Sequence, residues 1–196
     1  MSKPRKPQLP KTLALFSPAP ETASARAEHV RRLVSEGAQL LAVKRPGEAV
    51  VRLAEAWELD PQNVAAAINL GGAYVLQGKY ARAVPVLEAA TRLEPDNAMT
   101  WSNLAAAYLG RLPLATRERQ DQAIATYERA LAIDPHAPHV HYNLGLIYIE
   151  RNDPQRATTH FHAALETDPT DRDAQRWLEE IRRRGERAPS DIDQDA

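Results

Sequence analysis

A repeat at a fixed step constrains this chain more than any other feature of its sequence. Four segments end alike: LDPQN from Leu59, LEPDN from Leu93, IDPHA from Ile133 and TDPTD from Thr167. Their prolines, Pro61, Pro95, Pro135 and Pro169, lie 34, 40 and 34 residues apart. Ala56, Ala90, Ala130 and Ala164 step in the same way, as do Ala49, Ala83, Ala123 and Ala157. In a second set the long step comes last: Gly37, Gly71, Ala105 and Gly145, with Leu40, Tyr74, Tyr108 and Tyr148, step by 34, 34 and 40. Both series hold if six extra residues lie between Tyr108 and Ala123. The segment there, LGRLPLATRERQDQ, has the proline and mixed charge of a lengthened turn. Self-similarity at this period means one supersecondary unit per period, none of which buries its apolar face alone.

Each unit reads as two helices. The spacing predicts a first helix over Gln62 to Gln77, before Gly78, and a second over Tyr80 to Leu93, stopped by Pro95. Asp153 and Pro154 read as the cap and first residue of another helix. Pro85, inside its helix, is expected to remove one backbone hydrogen bond and bend the helix locally. Ala, Leu, Glu, Arg and Gln dominate the composition, and β-branched residues form no strand-length runs. The recurring small residues let helices approach closely while a large neighbour fills the gap, as in Gly71 with Tyr74 or Ala83 with Leu87 and Ala90. Arg172 to Arg187 reads as one more helix, with an apolar stripe of Ala174, Trp177, Leu178 and Ile181 backed by charge. A solenoid end requires such a cap. SDIDQDA then reads as a frayed acidic tail.

Several classes of function find no support. The net charge is -1, which suggests neither nucleic acid nor an acidic membrane surface. The arginines around Arg182, Arg183 and Arg184 alternate with Glu179, Glu180 and Glu186, as on a solvated helix face. The absence of cysteine removes disulfides, thiolate metal sites and cysteine nucleophiles. Five of the six histidines, His136, His139, His141, His160 and His162, fall in or beside the fourth unit. Their closest pairs are two residues apart, pointing to opposite sides of a helix, so no metal site is expected. Phosphate loop, nucleophile elbow and paired-carboxylate motifs are missing, so neither catalysis nor a cofactor is expected. The apolar stretch Thr12 to Phe16 is too short for a secretory core, and Val64 to Leu76 falls short of a membrane span. A cytoplasmic protein is the resulting expectation.

The register and the signatures NLGGAY from Asn69, NLAAAY from Asn103 and NLGLIY from Asn143 resemble the tetratricopeptide repeat family. The resemblance covers Val30 to Asp171 and departs locally: Lys44 stands where a turn glycine is usual, Ala105 replaces glycine, and the third repeat is stretched. It implies an all-α fold, a right-handed α-solenoid of four helix–turn–helix repeats with a C-terminal capping helix. The expected organisation is a Pro/Lys-rich tail over 1–22, repeats over 23–63, 64–97, 98–137 and 138–171, a cap over 172–187 and an acidic tail over 188–196.

The resemblance further implies a concave face lined by the first helix of each repeat. Transferred position by position, its candidate binding residues are Val34, Leu41, Ile68, Val75, Leu76, Met99, Leu109, His139, Tyr142, Leu146 and Ile149. A helix apolar on two sides is either wholly buried or offers one side to a partner, so these residues either deepen the core or line a groove. Asn69, Asn103 and Asn143 read as consensus residues rather than ligands, and the expected occupant is an apolar protein segment. Leu9, Leu13, Leu15 and Phe16 form an apolar island in the basic tail, expected to fold back on the repeats or to dock on a second protein. The role implied is an adaptor or assembly factor. Alternatives are a chaperone masking a client and a structural subunit of a larger complex, and the oligomeric state is left open.

Overall fold

The computed structural model describes residues 22–187. Among them the chain forms nine α-helices and no strand: α1 Ala23–Ala42, α2 Pro46–Leu59, α3 Val64–Leu76, α4 Tyr80–Leu93, α5 Ala98–Leu109, α6 Arg117–Ile133, α7 Val140–Glu150, α8 Pro154–Thr167 and α9 Arg172–Arg187. Consecutive helices pack as antiparallel pairs, and α1, α3 and α5 also pack side by side along one wall. The result is an α-solenoid of four helix pairs closed by α9.

The DP segments work as turn chemistry. The carboxylates of Asp60, Asp134 and Asp168 accept the backbone N–H two residues on, at 3.1, 2.9 and 2.9 Å, and Pro supplies the next φ. Asn63 and Asn97 then cap α3 and α5 by accepting from Ala66 and Thr100. At the turn between paired helices, Lys44, Gly78 and Asn152 all take positive φ, at 58, 69 and 56°. Only the glycine does so without steric cost. Pro85 lies within α4, as its place in the sequence requires.

The repeated small residues are sockets. A Cβ on Gly37, Gly71 or Gly145 would lie 2.4 to 2.6 Å from Leu53, Leu87 or Phe161 respectively. Those three side chains, from the second helix of each pair, are fully buried, which contributes roughly 1.5–3 kcal/mol apiece. The buried core falls into five adjacent clusters. Continuity between them is carried by half-buried aromatic rings: Trp57 touches three clusters, while Tyr74 and Trp101 each bridge two. At the C-terminal end the rings of Phe161 and Trp177 stack at 6.1 Å, seating α9 on α8.

The six additional residues are used twice over. They extend α6 to 17 residues, against 14 in α2, α4 and α8, and they lengthen the connection before it around a 3-10 turn, Leu112–Leu114. This turn packs against α7. Arg151, at the end of α7, reaches back to Gln120 at 2.9 Å and Asp121 at 2.5 Å in the extended start of α6.

Candidate functional site

Two details of local sequence open a cleft on the first-helix wall. The joint between the third and fourth pairs is looser than the others, with α6 packing on α7 less extensively than α2 on α3 or α4 on α5. In addition, Ala137 stands where Asn63 and Asn97 cap the earlier first helices, and it has no side chain to do so. Helix α7 therefore starts late, at Val140, and His139 is left outside it in the left-handed region at φ 62°. Between α5 and α7 this leaves a depression of about 490 Å³. Met99, Ser102, Asn103 and Ala106 form one side; Pro138, His139, Asn143 and Asp134 form the other.

The sequence-derived groove residues separate into three groups. Ile68 and Leu109 are buried, 8% and 7% exposed, and belong to the core. Ile68 packs with Ala67 and Ala90 beneath Trp57, and Leu109 lies in the large C-terminal cluster. The expectation that they line an open groove is corrected by this packing: Trp57 of α2 and Ala90 of α4 cover Ile68, and Leu109 belongs to the cluster that joins α5 to α6 and the C-terminal helices. Val34, Leu41, Val75, Tyr142, Leu146 and Ile149 are half-buried against the core clusters. Of these, Tyr142 tilts against Phe161 at 5.9 Å, and Ile149 shares a crevice with Trp177 and Ile181 of the cap. Both serve the α9 end. Met99, 61% exposed, Leu76 and His139 are open to solvent, and of these Met99 and His139 border the cleft.

The open surface is thus more polar than the sequence suggests. Asn103 and Asn143, expected to be consensus residues only, both line the cleft with Ser102 and Asp134, the Asn103 amide lying also toward Gly72 of α3. Their common place in the NLxxxY signature was the available sign. An extended segment with both amide groups and small apolar side chains matches such a lining better than a wholly apolar helix. Leu9, Leu13, Leu15 and Phe16 lie outside the described residues, as does the acidic tail.

Behind the cleft, Tyr127 is buried, and burial pushes its phenol far up, with Asn143 pulling the other way. His141 and His160 meet across α7 and α8 with Nδ1 atoms 3.1 Å apart. His160 stacks on Tyr148 at 5.4 Å, and Arg156 lies over the same tyrosine ring at 5.4 Å. Burial first, and the neighbouring His141 second, pull His160 down to about 4. The pairing across two helices was invisible to spacing within one. No group of three or more His, Asp or Glu among the described residues is placed to hold a metal. No helix among them is long and apolar enough to cross a membrane.

Two family models, both described as tetratricopeptide repeat, match residues 40–107 and 111–182. A relative from Hordeum vulgare, the probable UDP-N-acetylglucosamine–peptide N-acetylglucosaminyltransferase SPINDLY, is 30% identical over 141 residues. That match covers 70% of this chain but only 15% of the relative's length. Among solved structures, a thermophilic TPR protein of Thermus thermophilus is similar with a TM-score of 0.70 at 21% identity, covering 81% of this chain and 84% of that one. PilF of Pseudomonas aeruginosa gives 0.69 at 20%, covering 83% and 71%. MamA of Desulfovibrio magneticus gives 0.60 at 24%, covering 73% and 77%. At these identities the structures share a fold.

Proposed function

Because this chain belongs to the tetratricopeptide repeat family, whose members mediate protein–protein interactions, we propose that it is a non-catalytic adaptor or assembly factor that holds a partner segment in the cleft between α5 and α7. The carrying observation is the cleft itself. It opens on the first-helix wall where α6 packs least extensively on α7, and it combines exposed Met99 with Asn103 and Asn143. An extended peptide offers backbone N–H and C=O groups at the spacing such amides read, and small apolar side chains for Met99 and Pro138. This reading includes a cytoplasmic location, supported by the cysteine-free sequence.

The test uses the whole tagged chain and a Met99→Glu, Ser102→Arg variant, neither position being buried. Both proteins are checked by circular dichroism and used to recover partners from cells that express the chain. Loss of one stoichiometric partner from the variant supports the cleft. Recovery of the same set by both proteins rejects it.

A further inference from the structure

The net charge of -1 hides a separation of charge across the solenoid. Its two edges are made by two kinds of turn, one inside each helix pair and one leading to the next pair. The turns between pairs, at 60–63, 94–97, 134–139 and 168–171, carry Asp60, Glu94, Asp96, Asp134, Asp168 and Asp171 and no Lys or Arg. The first three turns inside pairs are basic instead. Lys44, Lys79, Arg82, Arg111, Arg117 and Arg119 are exposed in or beside them, and none belongs to an ion pair among the described residues. Glu48 is held by Arg45 and Asp121 by Arg151, which leaves Glu118 as the one unpaired acid there among the described residues. Each edge holds one helix N-terminus and one C-terminus per pair, so the macrodipole favours neither sign on either edge. The basic edge also carries the three most exposed large apolar residues among those described: Val43 at 63%, Leu76 at 68% and Leu114 at 72%. Val43 caps the end of α1, Leu76 ends α3, and Leu114 lies in the 3-10 turn before α6. Contacts join these turns into one surface. Gln77 donates to the Pro46 carbonyl at 2.7 Å, and Gly110 lies against the Tyr80 ring.

We propose that this basic edge seats the protein peripherally on a bilayer surface rich in anionic lipid. Unpaired Lys and Arg are attracted to such a surface when they come within a Debye length of it. Interfacial attachment also draws on apolar side chains that enter the headgroup boundary, and Val43, Leu76 and Leu114 stand among the cations. A protein partner takes its apolar anchors in a compact patch that fits matching pockets. Here the anchors protrude singly from successive turns, an arrangement that a fluid headgroup layer accepts and a rigid partner has to be shaped for. The acidic edge then points away from the lipid, and its repulsion by anionic headgroups favours that orientation. The α5–α7 cleft is bordered by Met99 near the start of α5 and by His139 just before α7, so it lies toward the acidic edge and stays open. Attachment is therefore independent of what the cleft holds.

Vesicle sedimentation with the full chain tests this. Phosphatidylcholine vesicles with about 30% phosphatidylserine should bind it at least about tenfold more tightly than phosphatidylcholine alone, and about 0.5 M salt should remove the difference. A Lys79→Glu, Arg82→Glu, Arg111→Glu variant should lose at least about tenfold on the anionic vesicles, and a Leu76→Ser, Leu114→Ser variant about fivefold. Asp96→Asn, on the opposite edge, should change nothing. All these positions are exposed, and circular dichroism checks that each variant folds. Equal binding to the two kinds of vesicle, or binding to neither, would overturn the proposal. So would full binding by the charge variant, which would assign attachment to Lys3, Arg5, Lys6 and Lys11 instead. Unchanged binding by the leucine variant, or tighter binding to poly-glutamate than to the anionic vesicles, would point to an acidic protein partner and overturn it equally.

Discussion

Adjacent glycines in α3 offer an internal control on what holds the repeats together. Gly71 and Gly72 both lie inside the helix, so replacing either by Ala gains the same intrinsic propensity, about 0.8–1 kcal/mol. Their surroundings differ. A Cβ at position 71 would lie 2.4 Å from Leu87 Cγ and 2.5 Å from Cδ2, inside a side chain that is fully buried and cannot swing away. A Cβ at position 72 would meet only Asn103 Nδ2 at 3.7 Å, ordinary contact. Overpacking of this kind costs about 1–3 kcal/mol. Gly72→Ala should therefore stabilise by about 0.5–1 kcal/mol, and Gly71→Ala should be neutral to destabilising by about 2 kcal/mol. The gap between them isolates packing, because propensity cancels. Urea unfolding followed by far-UV circular dichroism, with stabilities extrapolated at a common slope, measures it. Adding Leu87→Ala to each variant should close the gap through a favourable coupling in the Gly71 pair alone. Two single variants equal within about 0.5 kcal/mol would refute the socket argument.

Other consequences are open to the same methods. Lys44→Gly should raise stability by about 0.5–1 kcal/mol, because φ 58° strains any residue with a Cβ; a loss on urea unfolding would contradict this. Arg151→Met should cost about 1–3 kcal/mol by leaving the buried Gln120 carbonyl without its donor, with the change visible in thermal unfolding. His160 folds with its pKa at about 4, below the ordinary value of 6.5, so the unfolded chain takes up its proton first as pH falls. Its contribution is thus present above about pH 6.5 and lost progressively toward pH 4. With the ring partly exposed, the loss should be about 1–2 kcal/mol, and His160→Gln should flatten urea stability between about pH 7.5 and about pH 4.5. An unchanged pH slope in that variant would remove His160 as the cause.

The repeat architecture was legible because the constraints behind it are local or strictly periodic. Asp-Pro turns, the spacing of Gly37, Gly71 and Gly145, and the apolar stripe of α9 each depend on residues a fixed distance apart. The site was less legible. Ile68 and Leu109 occupy positions that the family pattern would place on the inner wall, yet neighbouring helices cover them. Whether an apolar flank is open or closed depends on how the second helices around it are placed, an arrangement no single helix encodes. His139 likewise reads as a helical residue by register and lies outside α7, because Ala137 cannot provide the cap that Asn63 and Asn97 provide.

The sequence by itself determined the unit, the number of units, the place of the insertion and the cap, since each follows from short-range geometry repeated along the chain. Only the tertiary structure decided where the stack loosens, which apolar residues stay in solvent, and that His141 meets His160. These depend on the relative placement of helices far apart in sequence. There a cap missing at Ala137 or a longer α6 shifts whole surfaces rather than single side chains.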